Sequence, residues 1–369
     1  YSGGAILPTY DAVFCWNRSF PKKKIELIVP ANEQGAGFMA AGYSRVSGRV
    51  GVSLVTSGPG ATNSVTPIRD CTADSIPMVL ICGQVARAAI GTDAFQEAPV
   101  FSIMSACAKH VFLIEDPDNL EAIIRTAFHI ARSGRPGPVV IDIPKDVQNA
   151  QITFKGNGVL PLPGYQQRLD TLNKSHVSKE KAKDFYAILK KSKRPLLLVG
   201  GGVINSNAST ELRQFAKKFQ IPTVTTLMGI GAIDTTDDLA LHMLGMHGMA
   251  YANYAVEDCD FLFSVGARFD DRVAGVPRKF APHAKIAHID IDGAEIDKVK
   301  TTDWHHVGDA KTALKDLLAA GTGVKVSHAA WLKKTKSLKK KHMLDFDRVL
   351  DVIQPQHVLE TLNKLTKGD

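Results

Sequence analysis

The chain is 369 residues long, and its 44% hydrophobic and 22% charged residues are typical of an ordinary globular protein. This composition excludes a disordered, collagen-like or disulfide-scaffold class, and the length indicates two to three domains at ~100–200 residues each. The net charge of +8 favours anionic ligands but does not by itself indicate nucleic-acid binding. We therefore expect no nucleic acid as a partner. No apolar run reaches the ~18 residues of a membrane-spanning helix, so we expect no membrane as a partner either.

The cysteines and the two chain ends bear on compartment and completeness. The five cysteines are odd in number and form no Cys-x-x-Cys pair, which is typical of reduced, mostly buried thiols. We therefore expect a cytoplasmic protein, or one in an organelle stroma or matrix if a leader preceded Tyr1. The chain starts without methionine and stops at Asp369 without an obvious terminal element, so we expect a fragment.

Strand-like and helix-like stretches alternate over residues 1–150. The predicted strands are apolar on both faces, as buried parallel strands are: Ile25–Val29, Val50–Thr56, Met78–Ile81 and Val139–Ile143. The predicted helices between them are Glu33–Val46, Ala61–Ala73 and Leu120–Ala131. This alternation predicts a first α/β domain with a parallel sheet between two helix layers.

Residues 151–178 are rich in Gly, Pro, Asn and Gln and show no periodicity, which predicts a linker. A second alternating set over 179–325 predicts another three-layer parallel-sheet domain. Its strands are Leu196–Gly200, Thr223–Thr226, Phe261–Val265 and Ile286–Ile291, and its helices are Lys179–Lys190, Ser209–Phe219 and Thr312–Leu318. The remaining 326–369 predicts a linker with a solvated basic helix in its middle.

Two segments of the first domain are candidates for chemistry. Glu33 follows a predicted strand and begins a helix that contains Gly35, Gly37 and Gly42. The acid either complements the helix N-terminus or contacts a ligand, and the glycines indicate close approach of a backbone or a flat ligand. The turn Thr56–Asn63, with Gly-Pro-Gly, follows a strand at the sheet edge where ligands bind in open α/β folds. The polar loop Ile90–Glu97 is either a third such segment or a plain surface loop.

The second domain offers strand-end segments suited to phosphate or ribose. Gly200–Gly202 follows a strand but lacks the third glycine of the dinucleotide fingerprint. Leu244–Gly248 and Gly266–Arg272 add a strand-end arginine, which is a natural partner for pyrophosphate. In His288–Asp292 the acids either accept from ribose hydroxyls or cap a helix. The scattered histidines form no metal-ligand spacing, so we predict no metal ligands within the chain.

Together these strings resemble the acetolactate synthase (acetohydroxyacid synthase) catalytic-subunit family over essentially the whole chain. Further matching strings are Tyr1–Ala5, Ser133–Pro138 and Pro144–Asp146. The Phe95-Gln96 pair and the Arg268–Arg272 string separate this family from other thiamine-diphosphate enzymes. The resemblance implies a pyrimidine-binding domain for thiamine diphosphate, followed by a central, Rossmann-like FAD-binding domain.

The resemblance also implies the activity and the site. Pyruvate is decarboxylated on thiamine diphosphate, and the two-carbon unit is joined to a second 2-ketoacid, pyruvate or 2-ketobutyrate, in branched-chain amino-acid biosynthesis. Glu33 is implied to hydrogen-bond the pyrimidine N1′. Glu33, Gln96 and Lys145 are implied as catalytic, and Phe95, Lys109 and Asp271 as lining the substrate channel. The implied cofactor contacts are Gly3, Gly4, Thr56, Pro59 and Asn63 for thiamine diphosphate, and Arg135, Gly201, Thr226, Leu227, Leu244, Gly245, Met246, His247, Gly266, Arg268, Asp270, Asp290, Ile291 and Asp309 for FAD.

Departures from the family pattern limit what these residues are expected to do alone. Asn32 stands where the family has histidine, and Ser2 where it has proline. Gly-Asp-Gly, which begins the Mg²⁺ and diphosphate motif of these enzymes, is absent from the sequence. We therefore expect the Mg²⁺ ligands on a further C-terminal domain, and no synthase activity from the 369 residues alone. The family also implies a homodimer or tetramer and allows a separate small regulatory subunit.

Two other functions remain open. One is a different thiamine-diphosphate carboligase or decarboxylase, such as glyoxylate carboligase or pyruvate oxidase. Glu33 argues against the first of these, because that family lacks the acid, and the Phe95-Gln96 and Arg268–Arg272 strings argue against both. The other is a free-standing flavin- or nucleotide-binding module without catalysis.

Overall fold

The computed structural model describes residues 3–348 and 351–367, which form two compact units. The first unit holds the described residues up to His176, with Ile289–Glu295 and His306–Ala313. The second holds Val177–His288, Ile296–His305 and the described residues from Leu314 onward. Tyr1 and Ser2 of the matching N-terminal string, and the final Gly368-Asp369 pair, lie outside the described residues.

A four-stranded sheet forms the centre of the first unit. Its strands are β1 (Gly51–Val55), β2 (Met78–Gln84), β3 (His110–Leu113) and β4 (Pro138–Pro144), in the order β1-β2-β4-β3 with every pair parallel. β4 is buried along its whole length, as its apolar sequence predicts. The helices are α1 (Leu7–Ser19), α2 (Glu33–Ser47), α3 (Pro59–Asn63), α4 (Val65–Asp74), α5 (Val100–Ser105), α6 (Leu120–Arg132), α7 (Lys145–Gln148) and α8 (Pro163–Asn173).

Helix α2 is held at both ends and pressed closely onto its neighbours. The Asn32 side chain accepts from the Gly35 amide at 2.7 Å, and Gly48 ends the helix in the left-handed region at φ 68°. A Cβ at Gly37 would lie 2.4 Å from Cγ of Pro67 in α4. At Gly37 the close neighbour is therefore a proline side chain, and only a residue without a side chain fits there. The approach of a backbone or a flat ligand to these glycines stays a prediction.

Three predictions for the first unit are wrong in part. Ile25–Val29 is not a strand, and its apolar side chains Ile25, Leu27, Ile28 and Val29 are exposed. The helix predicted over Ala61–Ala73 is divided into α3 and α4 at Ser64, because Gly-Pro-Gly forces a separate first turn. The stretch 151–178, predicted to lack regular structure, contains α8, whose Leu169 is buried.

A six-stranded sheet has the order β10-β9-β8-β5-β6-β7. Its strands are β5 (Pro195–Val199), β6 (Thr223–Thr225), β7 (Ala240–Met243), β8 (Phe261–Val265), β9 (Lys285–Asp290) and β10 (Trp304–Val307). β5 pairs in parallel with both β6 and β8. Numbered within this sheet, the order is 3-2-1-4-5-6, which is the doubly wound Rossmann order. The fold class predicted from the sequence is confirmed.

The remaining helices are α9 (Lys179–Lys191), α10 (Gly201–Asn205), α11 (Ser209–Phe219), α12 (Ala250–Asp258), α13 (Asp271–Ala274), α14 (Ala310–Ala320), α15 (Ala329–Lys341) and α16 (Pro355–Thr366). The predicted basic helix is α15, but one face is buried rather than solvated. Trp331 is enclosed in the core and donates its indole N–H to the Pro195 carbonyl at 2.8 Å. Among the described residues, no helix is long and apolar enough to cross a membrane.

Candidate functional site

Glu33 is the first residue of α2 and its side chain is 8% exposed. The Asn63 amide donates to Glu33 Oε2 at 3.0 Å, so the end of α3 meets the start of α2. Within the described residues this is the one hydrogen bond that the structure gives the Glu33 carboxylate. A buried acid with a single partner retains acceptor capacity for a ligand, while its place in the first turn also suits the helix N-terminus.

The turn between β1 and α3 contacts the loop that carries Gln96. Gly58 adopts φ 54°, and a Cβ there would lie 2.5 Å from the Gln96 carbonyl oxygen. Gly3 approaches the same turn, since its Cβ would lie 2.5 Å from the Thr56 side chain. The structure therefore brings Gly3, Thr56, Asn63, Glu33 and Gln96 into one connected group, whereas Gly4 has open space around it.

Thr56 supplies an unused polar atom in this group. Its side chain is buried, and Oγ1 has no hydrogen-bond partner in the described part of the chain. A buried hydroxyl without a partner is costly unless a ligand or water satisfies it. Thr56 Oγ1 and the Glu33 carboxylate therefore both keep unused hydrogen-bonding capacity.

The loop 91–97 is closed on itself by Glu97. Its carboxylate accepts the Gly91 amide at 2.5 Å and the Ala94 amide at 3.1 Å, and these backbone hydrogen bonds lower the pKa of Glu97. Gln96 adopts φ 59°, which is unusual for a residue other than glycine. Phe95 is 88% exposed at the tip. The loop thus presents Phe95 and Gln96 outward on a fixed backbone.

The two lysines predicted near the substrate lie in different surroundings. Lys109 Nζ donates to the carbonyls of Ile130 and Ser133 at 2.5 and 2.6 Å, at the C-terminal end of α6. Burial, with a smaller contribution from Arg135, lowers the pKa of Lys109 to about 8. Lys145 is exposed at the start of α7. Substrate contact by either lysine stays a prediction.

A buried carboxyl that the sequence analysis did not single out is connected to the loop 91–97 through Gln84. Asp142 of β4 is 1% exposed, and Gln84 Nε2 donates to its Oδ2 at 3.0 Å. Burial raises the pKa of Asp142 to about 7, although the Gln84 hydrogen bond lowers it. The available signal was a single acid inside the otherwise apolar strand predicted over Val139–Ile143.

We expect Asp142 to make stability depend on pH. The folded pKa of about 7 lies above the ordinary value of 3.8, so the folded chain holds a proton that the unfolded chain releases. The free energy of unfolding should therefore fall as pH rises from about 4 to about 7, by ~4 kcal/mol at most. In urea unfolding, Asp142→Asn should match the parent near pH 4 and gain on it up to pH 8. A pH-independent difference for Asp142→Asn would contradict this.

In the second unit, glycines bring the ends of β5 and β8 together. A Cβ at Gly200 would lie 2.0 Å from the Gly266 carbonyl oxygen, and one at Gly266 (φ 62°) would lie 2.6 Å from the Gly202 Cα. A Cβ at Gly201 would contact Met228 at 2.9 Å. The strand order reverses between β5 and β8, because successive strands are added on opposite sides of this pair. In doubly wound sheets, nucleotides bind in the crevice at the carboxyl ends of the two strands where the order reverses.

Other predicted FAD contacts follow neighbouring strands in the same unit. The Met246 amide donates to the Arg272 carbonyl at 2.9 Å, and the Gly245 amide donates to Asn253 Oδ1 at 2.8 Å. The Thr226 amide donates to the Val199 carbonyl at 2.8 Å, which places this turn beside the end of β5. Among these predicted FAD contacts, Leu227, Met246 and His247 are exposed, Arg268 and Asp270 are partly exposed, and Leu244 is buried. Asp271, which is predicted to line the substrate channel, is also exposed.

The remaining predicted FAD contacts already have partners in the first unit. Arg135 pairs with Asp292 at 3.1 Å and with Glu295 at 2.7 Å. Asp290 Oδ1 accepts the Asp292 amide at 2.9 Å, next to the partly exposed Ile291. Asp309 accepts the Thr312 amide at 2.9 Å and caps α14. Asp292 Oδ1 accepts the Ala294 amide at 3.0 Å, so the capping alternative is confirmed for the short turn Gly293–Glu295.

Comparison with known families matches both parts of the chain. Residues 1–106 match the family described as "Thiamine pyrophosphate enzyme, N-terminal TPP binding domain", and residues 182–317 match "Thiamine pyrophosphate enzyme, central domain". The chain belongs to the thiamine pyrophosphate enzyme family. Thiamine pyrophosphate is thiamine diphosphate, so the connected group around Glu33 lies in the domain of this family that is described as binding it.

Within the thiamine pyrophosphate enzymes the chain resembles acetolactate synthases. It is 44% identical to the acetolactate synthase large subunit of Corynebacterium glutamicum over 98% of this chain and 56% of that one. It is 43% identical to chloroplastic acetolactate synthase 1 of Nicotiana tabacum, over 100% of this chain and 54% of that one. The resemblance predicted from the sequence is confirmed, and the chain spans about half the length of the curated relatives it matches.

Proposed function

We propose that this chain is the pyrimidine-binding and central part of an acetolactate synthase catalytic subunit. The observation that carries the proposal is the group formed by the buried Glu33, its partner Asn63, the unsatisfied Thr56 hydroxyl and the Gln96 loop. Both relatives described above are named as acetolactate synthases, and their matches cover nearly the whole of this chain. The substrates would be pyruvate and a second 2-ketoacid, pyruvate or 2-ketobutyrate.

The residues of the Glu33 group fit the aminopyrimidine of thiamine diphosphate. When bound, the cofactor supplies the carbon nucleophile that attacks a 2-ketoacid carbonyl. Glu33 would hold a proton between its carboxyl and N1′ of the ring, and Asn63 would orient that carboxyl through the 3.0 Å hydrogen bond. Thr56, with Gly3 and Pro59, would line the ring. Gln96, Phe95, Lys109, Lys145 and Asp271 would contact substrate.

FAD and Mg²⁺ complete the proposed cofactors. The location supports a nucleotide in the second unit, because the turns after β5 and β8 pack backbone against backbone at Gly200, Gly202 and Gly266, at the strand ends where doubly wound sheets bind nucleotides. The described residues contain no group of three His, Cys, Asp or Glu side chains that could hold a metal. We propose that Mg²⁺ ligands come from residues beyond this sequence, that the 369 residues alone form no acetolactate, and that the complete protein is a homodimer or tetramer, with or without a small regulatory subunit.

The test is to incubate the complete protein with pyruvate, thiamine diphosphate, Mg²⁺ and FAD, and to measure acetolactate. We expect acetolactate from the complete protein and none from the 369 residues. Acetate and reduced flavin in place of acetolactate would indicate a pyruvate oxidase. Flavin binding without any turnover of pyruvate would instead favour the non-catalytic nucleotide-binding alternative.

Gly266→Ala should weaken the binding of FAD to the complete protein. The new methyl group would collide with the Gly202 Cα at 2.6 Å and would also strain a backbone at φ 62°. Gly323→Ala is the matched control, since Gly323 has φ 80° but open space around its Cβ. We expect at least about tenfold weaker FAD binding by fluorescence titration for Gly266→Ala alone. Equal loss in both variants would show a general effect of backbone strain.

A further inference from the structure

Asp142 is placed where an acid is costly. Its neighbours in β4 are apolar and buried, and the residue opposite it in β2 is the buried Cys82. Oδ1 has no hydrogen-bond partner among the described residues. A buried leucine or valine would cost less free energy at this position than a buried carboxyl. We therefore look for a function of Asp142 in the hydrogen bond that its Oδ2 accepts.

Gln84 connects this acid to the loop that carries Gln96. It is the last residue of β2 and is 3% exposed. Its Nε2 donates to Asp142 Oδ2 at 3.0 Å and to the Ala98 carbonyl at 3.1 Å, while its Oε1 accepts the Val85 amide at 2.9 Å. Both amide hydrogens and the amide oxygen are therefore engaged, which fixes the side chain in one orientation.

Ala98 is the point where the loop 91–97 returns to the fold. Gln96, two residues earlier, is held at φ 59° with its carbonyl against Gly58. A backbone in this region persists only where its surroundings over-determine it. Glu97 closes the loop internally, but its hydrogen bonds are all within the loop. The Gln84 contact is the side-chain hydrogen bond that ties Ala98 to the central sheet.

We propose that Asp142 and Gln84 form a buried relay that positions Gln96 for the reaction. Both are positioning residues, since they act through Ala98 and not on substrate. Asp142 fixes the Gln84 amide, Gln84 fixes the Ala98 carbonyl, and the strained Gln96 backbone is thereby held against the Gly58 turn. The structural part stands on these contacts alone, and the kinetic part rests on the proposed function.

Amide hydrogen exchange in the complete protein tests the structural part. Gln84→Leu, which removes both donors, should speed exchange of the Gly91, Ala94 and Glu97 amides about tenfold, while amides of β1 keep the parent rate. Asp142→Leu should act in the same direction. Asp142→Asn, which keeps an oxygen acceptor for Gln84, should restore the parent rate. Gln167→Leu, the same change at an exposed position of α8, is the matched control.

The kinetic part is a matching loss of kcat. Gln84→Leu should lower kcat for acetolactate formation about tenfold with a smaller change in KM, and Asp142→Asn should recover most of it. If Gln84→Leu does not fold, Gln84→Asn, whose side chain is too short to bridge both acceptors, replaces it. Unchanged loop exchange, or equal acceleration in β1, would overturn the relay. A parent that forms no acetolactate would refute the proposed function, while the exchange data would still decide the relay.

Discussion

Glu33→Gln is expected to lower the rate of acetolactate formation about 100- to 1,000-fold in the complete protein, since a positioned proton-transfer group contributes on that scale. Glutamine keeps the size of the side chain and can still accept from the Asn63 amide, which now lies 3.0 Å from Oε2. It cannot share a proton with a ring nitrogen. The loss should therefore appear in kcat, with the variant still folded and still closed against α3.

The control for this prediction is Glu26→Gln, the same change at an exposed position ahead of α2. Glu26→Gln should keep the parent rate, and both variants should melt within a few degrees of the parent. Parent-like turnover by Glu33→Gln would mean that the buried acid serves only the helix N-terminus. The alternative left open by the sequence would then be the correct one.

Gly58→Ala is expected to destabilise the first unit by about 2–3 kcal/mol and to lower kcat by at least about tenfold. The methyl group would lie 2.5 Å from the Gln96 carbonyl oxygen, so either the turn or the loop must move. Movement of either one displaces Gln96 from the Glu33 group. Urea unfolding and steady-state kinetics measure the two effects.

Gly275→Ala separates the collision from the backbone cost. Gly275 has φ 55° and ψ −107°, close to the 54° and −114° of Gly58, but nothing lies within 4 Å of its Cβ position. We expect Gly275→Ala to lose only the cost of this backbone conformation, about 1–3 kcal/mol, with a smaller loss of kcat than Gly58→Ala. Equal effects on kcat in the two variants would show that the contact between Gly58 and Gln96 does not matter for the reaction.

The strands that the sequence predicted correctly are mostly apolar, such as β8; β4 was predicted although it contains Asp142, and β9 although it contains His288. The missed strands β3, β7 and β10 are each four residues long and also contain histidine, which leaves too short an apolar run: His110 in β3, His242 in β7, and His305 and His306 in β10. Ile25–Val29 has the right composition but remains exposed and unpaired as a strand. Composition indicates that a segment suits a sheet, but it does not show that a partner strand is available.

The site was predictable in part for a similar reason. Glu33 and the Thr56–Asn63 turn are visible because a helix start and a Gly-Pro-Gly turn are local patterns. The contact of Gln84 with Asp142 depends on the alignment of β2 with β4, in which Cys82 lies opposite Asp142. That alignment is a long-range property, and nothing in either strand alone specifies it.

The central claim is that Glu33 exchanges a proton with the pyrimidine ring of thiamine diphosphate. Its most direct measurement is the rate of hydrogen-deuterium exchange at C2 of the cofactor, followed by NMR after rapid quenching, in the complete protein with Mg²⁺ and without pyruvate. We expect exchange in the parent to be at least about 100-fold faster than in Glu33→Gln, with Glu26→Gln equal to the parent. Equal exchange rates in the parent and Glu33→Gln, with cofactor bound to both, would contradict the assignment of Glu33.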